Sequence, residues 1–119
     1  MQDFRNLKVW KKAHDLTLRI YSVTQMFPKE ETYGLRSQLR ASSTSIGTNI
    51  AEGCGRNGDA EFRRFLHFSM GSASELEYQL LLARDLKLVS DVDYDSLEGS
   101  TVEVKRMIAS LLRKLRAES

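Results

Sequence analysis

With 119 residues, the chain has the length of one domain and can bury a hydrophobic core without disulfides or structural metals. Hydrophobic residues make up 41% and charged residues 29%, which excludes a disordered chain of low hydrophobicity. The formal net charge of +2 permits nucleic-acid binding but does not require it. We therefore expect a single domain over residues 1–119.

The chain has one cysteine, Cys54, so no disulfide can form within it, and a chain without disulfides fits a reducing compartment. No apolar run reaches the roughly eighteen residues that a membrane span needs. The first residues also lack the apolar core of a signal peptide. These features predict a cytoplasmic protein.

Four stretches of the chain carry apolar residues at alternating spacings of four and three, the period of packed amphipathic helices. The spacing predicts helices over residues 6–27, 32–52, 59–86 and 91–116. Pro28 is expected to close the first of them.

Signals at the helix ends support these bounds. Gly53 is expected to end the second helix in a left-handed conformation, and Asp59 to cap the third. Ser90 is expected to open the fourth in a capping-box-like start, with Asp93 where glutamate is usual. The acidic start and basic end of this fourth helix match its dipole.

Four such helices with short connections predict an all-α fold, an antiparallel up-down-up-down four-helix bundle. The competing fold, a helix-turn-helix array, prefers shorter helices and a near-perpendicular pair. The residues expected to form the core are Val9, Ala13, Leu16, Ile20, Val23, Phe27, Leu35, Leu39, Ser42, Ile46, Asn49, Phe62, Leu66, Ser69, Ala73, Leu76, Leu80, Ala83, Leu97, Thr101, Val104, Ile108, Leu111 and Leu115.

Several large apolar residues lie beside these stripes. They either widen the buried face of each helix or form a subunit interface, and we favour assembly. These residues are Trp10, Tyr21, Phe65, Phe68, Leu81, Leu82 and Leu112.

The sequence contains no pattern typical of catalysis or metal binding. A di-metal bundle needs Glu-x-x-His, yet Lys11 precedes His14 and Arg64 precedes His67 at that spacing. Cys54 lies in a glycine-rich segment that lacks the Lys-Ser/Thr ending of a phosphate-binding loop, so we interpret the segment as an interhelical turn. We expect no enzyme activity, no cofactor and no metal.

Serine and threonine are concentrated in residues 42–48 of the second predicted helix, although they are poor helix formers. Their small side chains permit close helix packing, with hydroxyls bonded back to the preceding turn. Asn49, if buried, is an alternative determinant of register or oligomeric state.

Basic residues group in the first half of the chain, where they form either a solvated face or a phosphate-binding surface of salt-sensitive affinity. The nearby aromatic residues Trp10, Tyr21 and Tyr33 either stack on bases or pack in the core. The residues predicted to bind nucleic acid are Lys8, Lys11, Lys12, Arg36, Arg40, Arg56, Arg63 and Arg64.

Several short motifs occur in order along nearly the whole chain. They are Leu7-Lys8-Val9-Trp10-Lys11-Lys12-Ala13-His14, Ile20-Tyr21, Phe27-Pro28, Glu31-x-Tyr33-Gly34-Leu35, Gln38-Leu39-Arg40, Ser45-Ile46, Asn49-Ile50-Ala51-Glu52-Gly53, Gly71-Ser72 and Glu75-Leu76-Glu77. In these motifs the chain resembles the four-helix-bundle family of 23S ribosomal RNA intervening-sequence proteins. It departs from the usual pattern at Ala41, where a second arginine often follows the first, and at Gly47, where proline is frequent.

That family is similar in fold to the accessory variability determinant of diversity-generating retroelements, a pentameric bundle whose basic surface binds nucleic acid and a reverse transcriptase. The resemblance therefore implies a homopentamer that binds RNA or DNA. Other members are encoded inside intervening sequences of large ribosomal RNA genes. We predict a non-enzymatic nucleic-acid-binding accessory protein, and the alternative is an adaptor that docks a protein partner such as a reverse transcriptase.

Overall fold

The computed structural model describes residues 2–32 and 34–118. Within these ranges the chain is all-α and contains no strand, as predicted. The helices are α1 (Lys8–Thr24), α2 (Leu35–Cys54), α3 (Asp59–Asp85) and α4 (Asp91–Glu118).

Helix α1 is shorter at both ends than the predicted range 6–27. Its N-terminal side is preceded by a 3₁₀ turn over Phe4–Asn6, in which the Asp3 carboxylate accepts a hydrogen bond from the Arg5 amide at 3.0 Å. At its C-terminal side the α-helix ends at Thr24, because the Met26 and Phe27 amides bond to carbonyls three residues back instead of four. Phe27 therefore lies beyond the helix, yet its side chain is buried as expected.

Helix α2 begins three residues later than predicted and ends two residues later. A 3₁₀ turn over Lys29–Glu31 precedes it, and Gly34 occupies the N-cap position. The Glu31 carboxylate accepts a hydrogen bond from the Leu35 amide at 2.9 Å, which satisfies one of the first free amides of the helix. Glu31 thereby supplies the cap that Gly34 lacks.

The expectations for Gly53 and Asp59 were wrong. Gly53 lies inside α2, and the glycine with positive φ is Gly58, at 87°, where residues with a Cβ are strained. Gly58 is also the N-cap of α3, so Asp59 is the first helical residue. Ser90 does cap α4 as predicted, since its hydroxyl accepts a hydrogen bond from the Asp93 amide at 3.1 Å.

A hydrophobic core runs through all four helices. Helix α1 packs on α2 and α4, and α3 packs on the same two neighbours. The residues predicted from helical spacing are buried, except Val23, Asn49 and Leu111, which are half-buried. Ile50, which was not predicted, is fully buried beside them. None of the described helices has the length and apolar character needed to cross a membrane.

The hydroxyls of α2 bond back to the preceding turn, as expected. Ser43 donates to the Arg40 carbonyl at 3.1 Å and Thr48 to the Thr44 carbonyl at 2.9 Å. Asn49 bonds within its own helix, to Ser45, and its side chain is not buried in the core. Small hydroxyl side chains therefore let the neighbours of α2 approach closely.

Of the large apolar residues beside the stripes, four pack in or against the core and three are exposed. Phe65 is buried, and Trp10, Leu82 and Leu112 pack against the core. The other three side chains remain exposed: Tyr21, Phe68 and Leu81.

Candidate nucleic-acid interface

One end of the molecule gathers the first turn of α1, the last turns of α2 and α4, and the first turn of α3. The Gln2 amide donates to the Cys54 carbonyl at 3.2 Å, which holds the start of the chain against the end of α2. Lys8 and Lys114 line a common depression between α1 and α4. We call this region the basic end and define it by Lys8, Lys11, Arg56, Arg63, Arg64 and Lys114.

Two arginines of the basic end lie against aromatic rings. The Arg56 guanidinium is 5.0 Å from the ring centre of Phe65 and pairs with Glu52 at 3.0 Å. The Arg64 guanidinium is 5.4 Å from the ring of Phe65 and 5.2 Å from that of Phe68. Because the ring of Phe68 is 46% exposed, this cluster presents cationic and aromatic surface together.

The three lysines of α1 differ in their surroundings. Lys8 and Lys11 are exposed on the first turn of α1. Lys12 lies on the flank between α1 and α4, where its amine pairs with the Glu103 carboxylate at 3.2 Å. Its charge is therefore partly compensated, while those of Lys8 and Lys11 face solvent.

Arg36 and Arg40 lie far from the basic end, at the last turn of α1. Arg36 donates to the Phe27 carbonyl at 2.6 Å. Arg40 donates to the Thr24 hydroxyl at 2.8 Å and to the Tyr21 carbonyl at 3.2 Å, and its guanidinium stacks 4.5 Å above the Tyr21 ring. Arg40 thus satisfies groups of the last turn of α1, where cations are favoured, and Arg36 satisfies a carbonyl of the segment that follows this helix.

The structure therefore divides the eight predicted residues into three groups. Five lie at the basic end, Lys12 lies on the α1/α4 flank, and Arg36 with Arg40 lies at the opposite end of α1. Sequence reasoning did not anticipate the joint placement of Arg64 and Phe68, although their spacing of four residues puts both on one helical face.

Aromatic side chains also surround Trp10. Its indole stacks on the imidazole of His14, with ring centres 4.9 Å apart and planes 8° apart, and the Phe4 ring meets it edge-on at 4.8 Å. Trp10 thus belongs partly to the surface, and His14 was not predicted as its neighbour. Tyr33, the third aromatic residue named with the basic cluster, lies outside the described residues.

Cys54 was expected to lie in the interhelical turn, but it does not. It is the last residue of α2 and is buried, and this burial raises the pKa of its thiol, with the Asp3 carboxylate acting in the same direction. A thiol with a raised pKa is a poor nucleophile at neutral pH. Among the described residues, no three histidine, cysteine or acidic side chains are grouped as metal ligands would be.

Comparison with known proteins agrees with the resemblance in the motifs. The model of the 23S rRNA-intervening sequence protein family matches residues 5–110. The chain belongs to this family. A similar solved structure is that of a protein with unknown function from the S23 ribosomal protein family of Bacteroides thetaiotaomicron VPI-5482, with 25% identity and a TM-score of 0.82. The similarity covers 87% of this chain and 97% of that one.

None of the curated proteins matches the chain. The family match includes all eight predicted basic residues, since they lie between residues 8 and 64. The family match thus covers all of α1, α2 and α3, and it covers α4 as far as residue 110.

Proposed function

We propose that this member of the 23S rRNA-intervening sequence protein family is a non-enzymatic, homo-oligomeric accessory protein of the cytoplasm that binds RNA or DNA. The observation that carries the proposal is the basic end, where cationic side chains from α1, α3, α4 and the α2–α3 turn converge. Lysine and arginine that displace counterions from phosphates supply most of the sequence-independent affinity of such proteins.

The aromatic cluster at the basic end supports the same function. Phe68 presents an exposed ring beside the Arg64 guanidinium. Bases stack on such rings, and arginine adds cation–π attraction without a requirement for sequence. The proposed interface therefore combines phosphate contacts at Lys8 and Lys11 with a stacking surface at Phe68.

Cross-helix contacts support the proposed antiparallel up-down-up-down bundle. Thr17 of α1 donates to the Ser43 carbonyl of α2 at 3.0 Å, whereas the later Thr24 meets the earlier Arg40. Residue numbers thus rise along α1 as they fall along α2. Contacts between the other neighbouring helices follow the same inverse order.

Exposed apolar side chains on α3 support homo-oligomer formation, for which we propose a pentamer. Tyr78 and Leu81 lie three residues apart on α3, so they share one face of the helix, and they are 62% and 36% exposed. Contiguous apolar surface on a protein usually marks an interface. The same face supports the second candidate function, an adaptor that docks a protein partner such as a reverse transcriptase.

Solution mass separates the candidate assemblies. Light scattering of the wild-type protein is expected to give five times the protomer mass, and Tyr78→Lys together with Leu81→Lys is expected to lower it. The matched control, Met26→Lys with Val92→Lys, changes exposed apolar residues outside α3 and should leave the mass unchanged. A wild-type protein that stays a monomer at high concentration contradicts the assembly.

Equilibrium binding tests the nucleic-acid interface. Fluorescence anisotropy with labelled single-stranded and duplex probes, at about 50 and 200 mM salt, should show an affinity that falls steeply with salt. Lys8→Gln with Lys11→Gln should weaken binding, whereas Lys29→Gln with Lys87→Gln removes the same charge elsewhere and should not. Absence of salt-sensitive binding to every probe overturns the proposal, and equal losses in the two variants remove the basic end as its site.

A further inference from the structure

A groove made of two adjacent depressions lies along the exposed faces of α1 and α2. One part has a volume of about 620 Å³ and is lined by Tyr21, Arg36 and Arg40. The other has a volume of about 240 Å³ and is lined by Trp10 and His14, among others. Both parts are bordered by the same two side chains, so they form one feature, which we call the α1/α2 groove. The shared side chains are Thr44 and Thr48.

The arginine part of the groove carries uncompensated positive charge. Arg36 and Arg40 donate to backbone carbonyls and to one hydroxyl, and neither pairs with a carboxylate of the described residues. The Nε atom of Arg36 is buried and has no hydrogen-bond partner among the residues that the structure describes. Since neutral acceptors leave both formal charges intact, an anion in the groove would be attracted by both guanidinium groups.

The aromatic part of the groove offers flat surfaces. The imidazole of His14 is exposed and stacks on the indole of Trp10, whereas the Tyr21 ring, 41% exposed, lines the arginine part beneath Arg40. His14 and Tyr21 lie seven residues apart on α1, which is about 10 Å along the helix. A ligand that spans the groove therefore meets aromatic faces at one end and cationic groups at the other.

Small residues of α2 line the groove. A Cβ at Gly47 would stand 3.4 Å from Nε1 of Trp10, so the glycine leaves room for the indole at this position. Ala41, a second small residue of α2, borders the arginine part. The groove is bounded by two adjacent helices whose axes in such folds lie about 8–10 Å apart, which suits an extended strand better than a duplex.

We propose that the α1/α2 groove binds a single-stranded segment of RNA or DNA, with phosphate at Arg36 and Arg40 and a base against Trp10 and His14. A single strand exposes both its phosphates and its base faces, the two chemistries that the groove offers. The inference rests on the proposed function. It goes further by naming the strandedness of the ligand and a second contact surface, separate from the basic end.

The test places a negative charge in the shared part of the groove. Thr44 is exposed and borders both parts, so Thr44→Glu should repel phosphate without disturbing the core, while Thr44→Gln is the neutral control of equal size. Circular dichroism checks the fold of both. Anisotropy with a labelled single-stranded RNA should show an affinity loss of about tenfold for Thr44→Glu and little change for Thr44→Gln. A duplex of the same sequence should bind more weakly to the wild type.

Tryptophan fluorescence gives an independent readout, because Trp10 is the sole tryptophan of the chain. A single-stranded probe should change its emission, while an abasic strand of equal length should bind with little change. If both Thr44 variants bind like the wild type while Lys8→Gln with Lys11→Gln weakens binding, the groove is not a binding site, but the proposed function still holds. Equal losses in Thr44→Glu and Thr44→Gln, or an unchanged Trp10 emission, also overturn the groove. A wild-type protein that binds no nucleic acid removes both proposals.

Discussion

Gly53 of α2 lies so close to Phe62 of α3 that a Cβ at position 53 would stand 2.9 Å from Cδ1 of the ring. The same Cβ would stand 3.0 Å from Cβ of Phe65. Both aromatic side chains are buried, so neither can move aside without exposing apolar surface. The glycine therefore sets how closely α2 and α3 approach at the basic end.

Substitution of this glycine is expected to destabilise the protein. Gly53→Ala should lower the free energy of unfolding by about 1–3 kcal/mol, because overpacking outweighs the gain in helix propensity of about 1 kcal/mol. Gly71→Ala is the matched control, since a Cβ there meets no atom within 4 Å, and it should raise stability. Urea denaturation of both variants checks the result, and a gain in both would show that Gly53 is not under steric constraint.

A buried hydrogen bond between α2 and α3 leads to a second prediction. The Ser42 hydroxyl lies 2.7 Å from Oε1 of Gln79, and both side chains are buried. Ser42→Ala should cost about 1–3 kcal/mol because it leaves the Gln79 amide oxygen unsatisfied. Adding Gln79→Met should recover much of this loss, since neither side chain of the pair then carries a buried polar group. Denaturation midpoints that fall further in the double variant would contradict this account.

Much of the fold could be predicted because apolar side chains at spacings of three and four bury themselves on packed helices. The spacing predicted that Asn49 lies in the core. The structure places the adjacent Ile50 there instead, because two neighbouring positions on a helix point about 100° apart and only one can face the core. Helix ends were harder to predict because contacts outside the periodic pattern set them. Leu35 begins α2 through the Glu31 carboxylate, and no periodicity reveals that cap.

The basic residues of the candidate site could be predicted from the sequence, but their contacts and relative positions could not. Arg36 and Arg40 bond to carbonyl groups of Phe27 and Tyr21. Every residue has a carbonyl, so nothing in the sequence marks these two as acceptors. The stacking of His14 on Trp10 was likewise hidden, although a spacing of four residues on a helix permits it.

The ion pair between Lys12 and Glu103 leads to a prediction about affinity. Both side chains are about half exposed, so Glu103→Gln should change the free energy of unfolding by less than about 1 kcal/mol. Nucleic-acid affinity should nevertheless rise, because Lys12 no longer shares its charge with a carboxylate. Glu30→Gln makes the same charge change at an exposed site away from Lys12. Equal gains in the two variants would indicate that only net charge matters.

Burial of Cys54 leads to a prediction about pH. Burial raises the pKa of the folded thiol above that of the unfolded chain, so the folded state holds this proton more tightly. The stabilisation is complete below the unfolded pKa of about 8.5 and is lost as pH rises toward the folded pKa. Unfolding free energies measured from about pH 7 to pH 10 should therefore fall less steeply in Cys54→Ala than in the wild type. Parallel slopes would exclude a contribution from the thiol.

The contact between Arg40 and Thr24 separates a structural from a binding role for the arginine. Thr24→Val leaves Nε of Arg40 without its acceptor at 2.8 Å and should cost about 1–2 kcal/mol. Combination with Arg40→Met in a double-mutant cycle should give a coupling energy of about 1 kcal/mol. Arg40→Lys keeps the charge but loses the planar geometry that reaches Thr24 and Tyr21 together, so stability should fall. We expect Arg40→Lys to keep its affinity for single-stranded RNA, because binding requires only the positive charge, whereas stability requires the guanidinium. A loss of affinity in this variant would show that the RNA also needs the guanidinium.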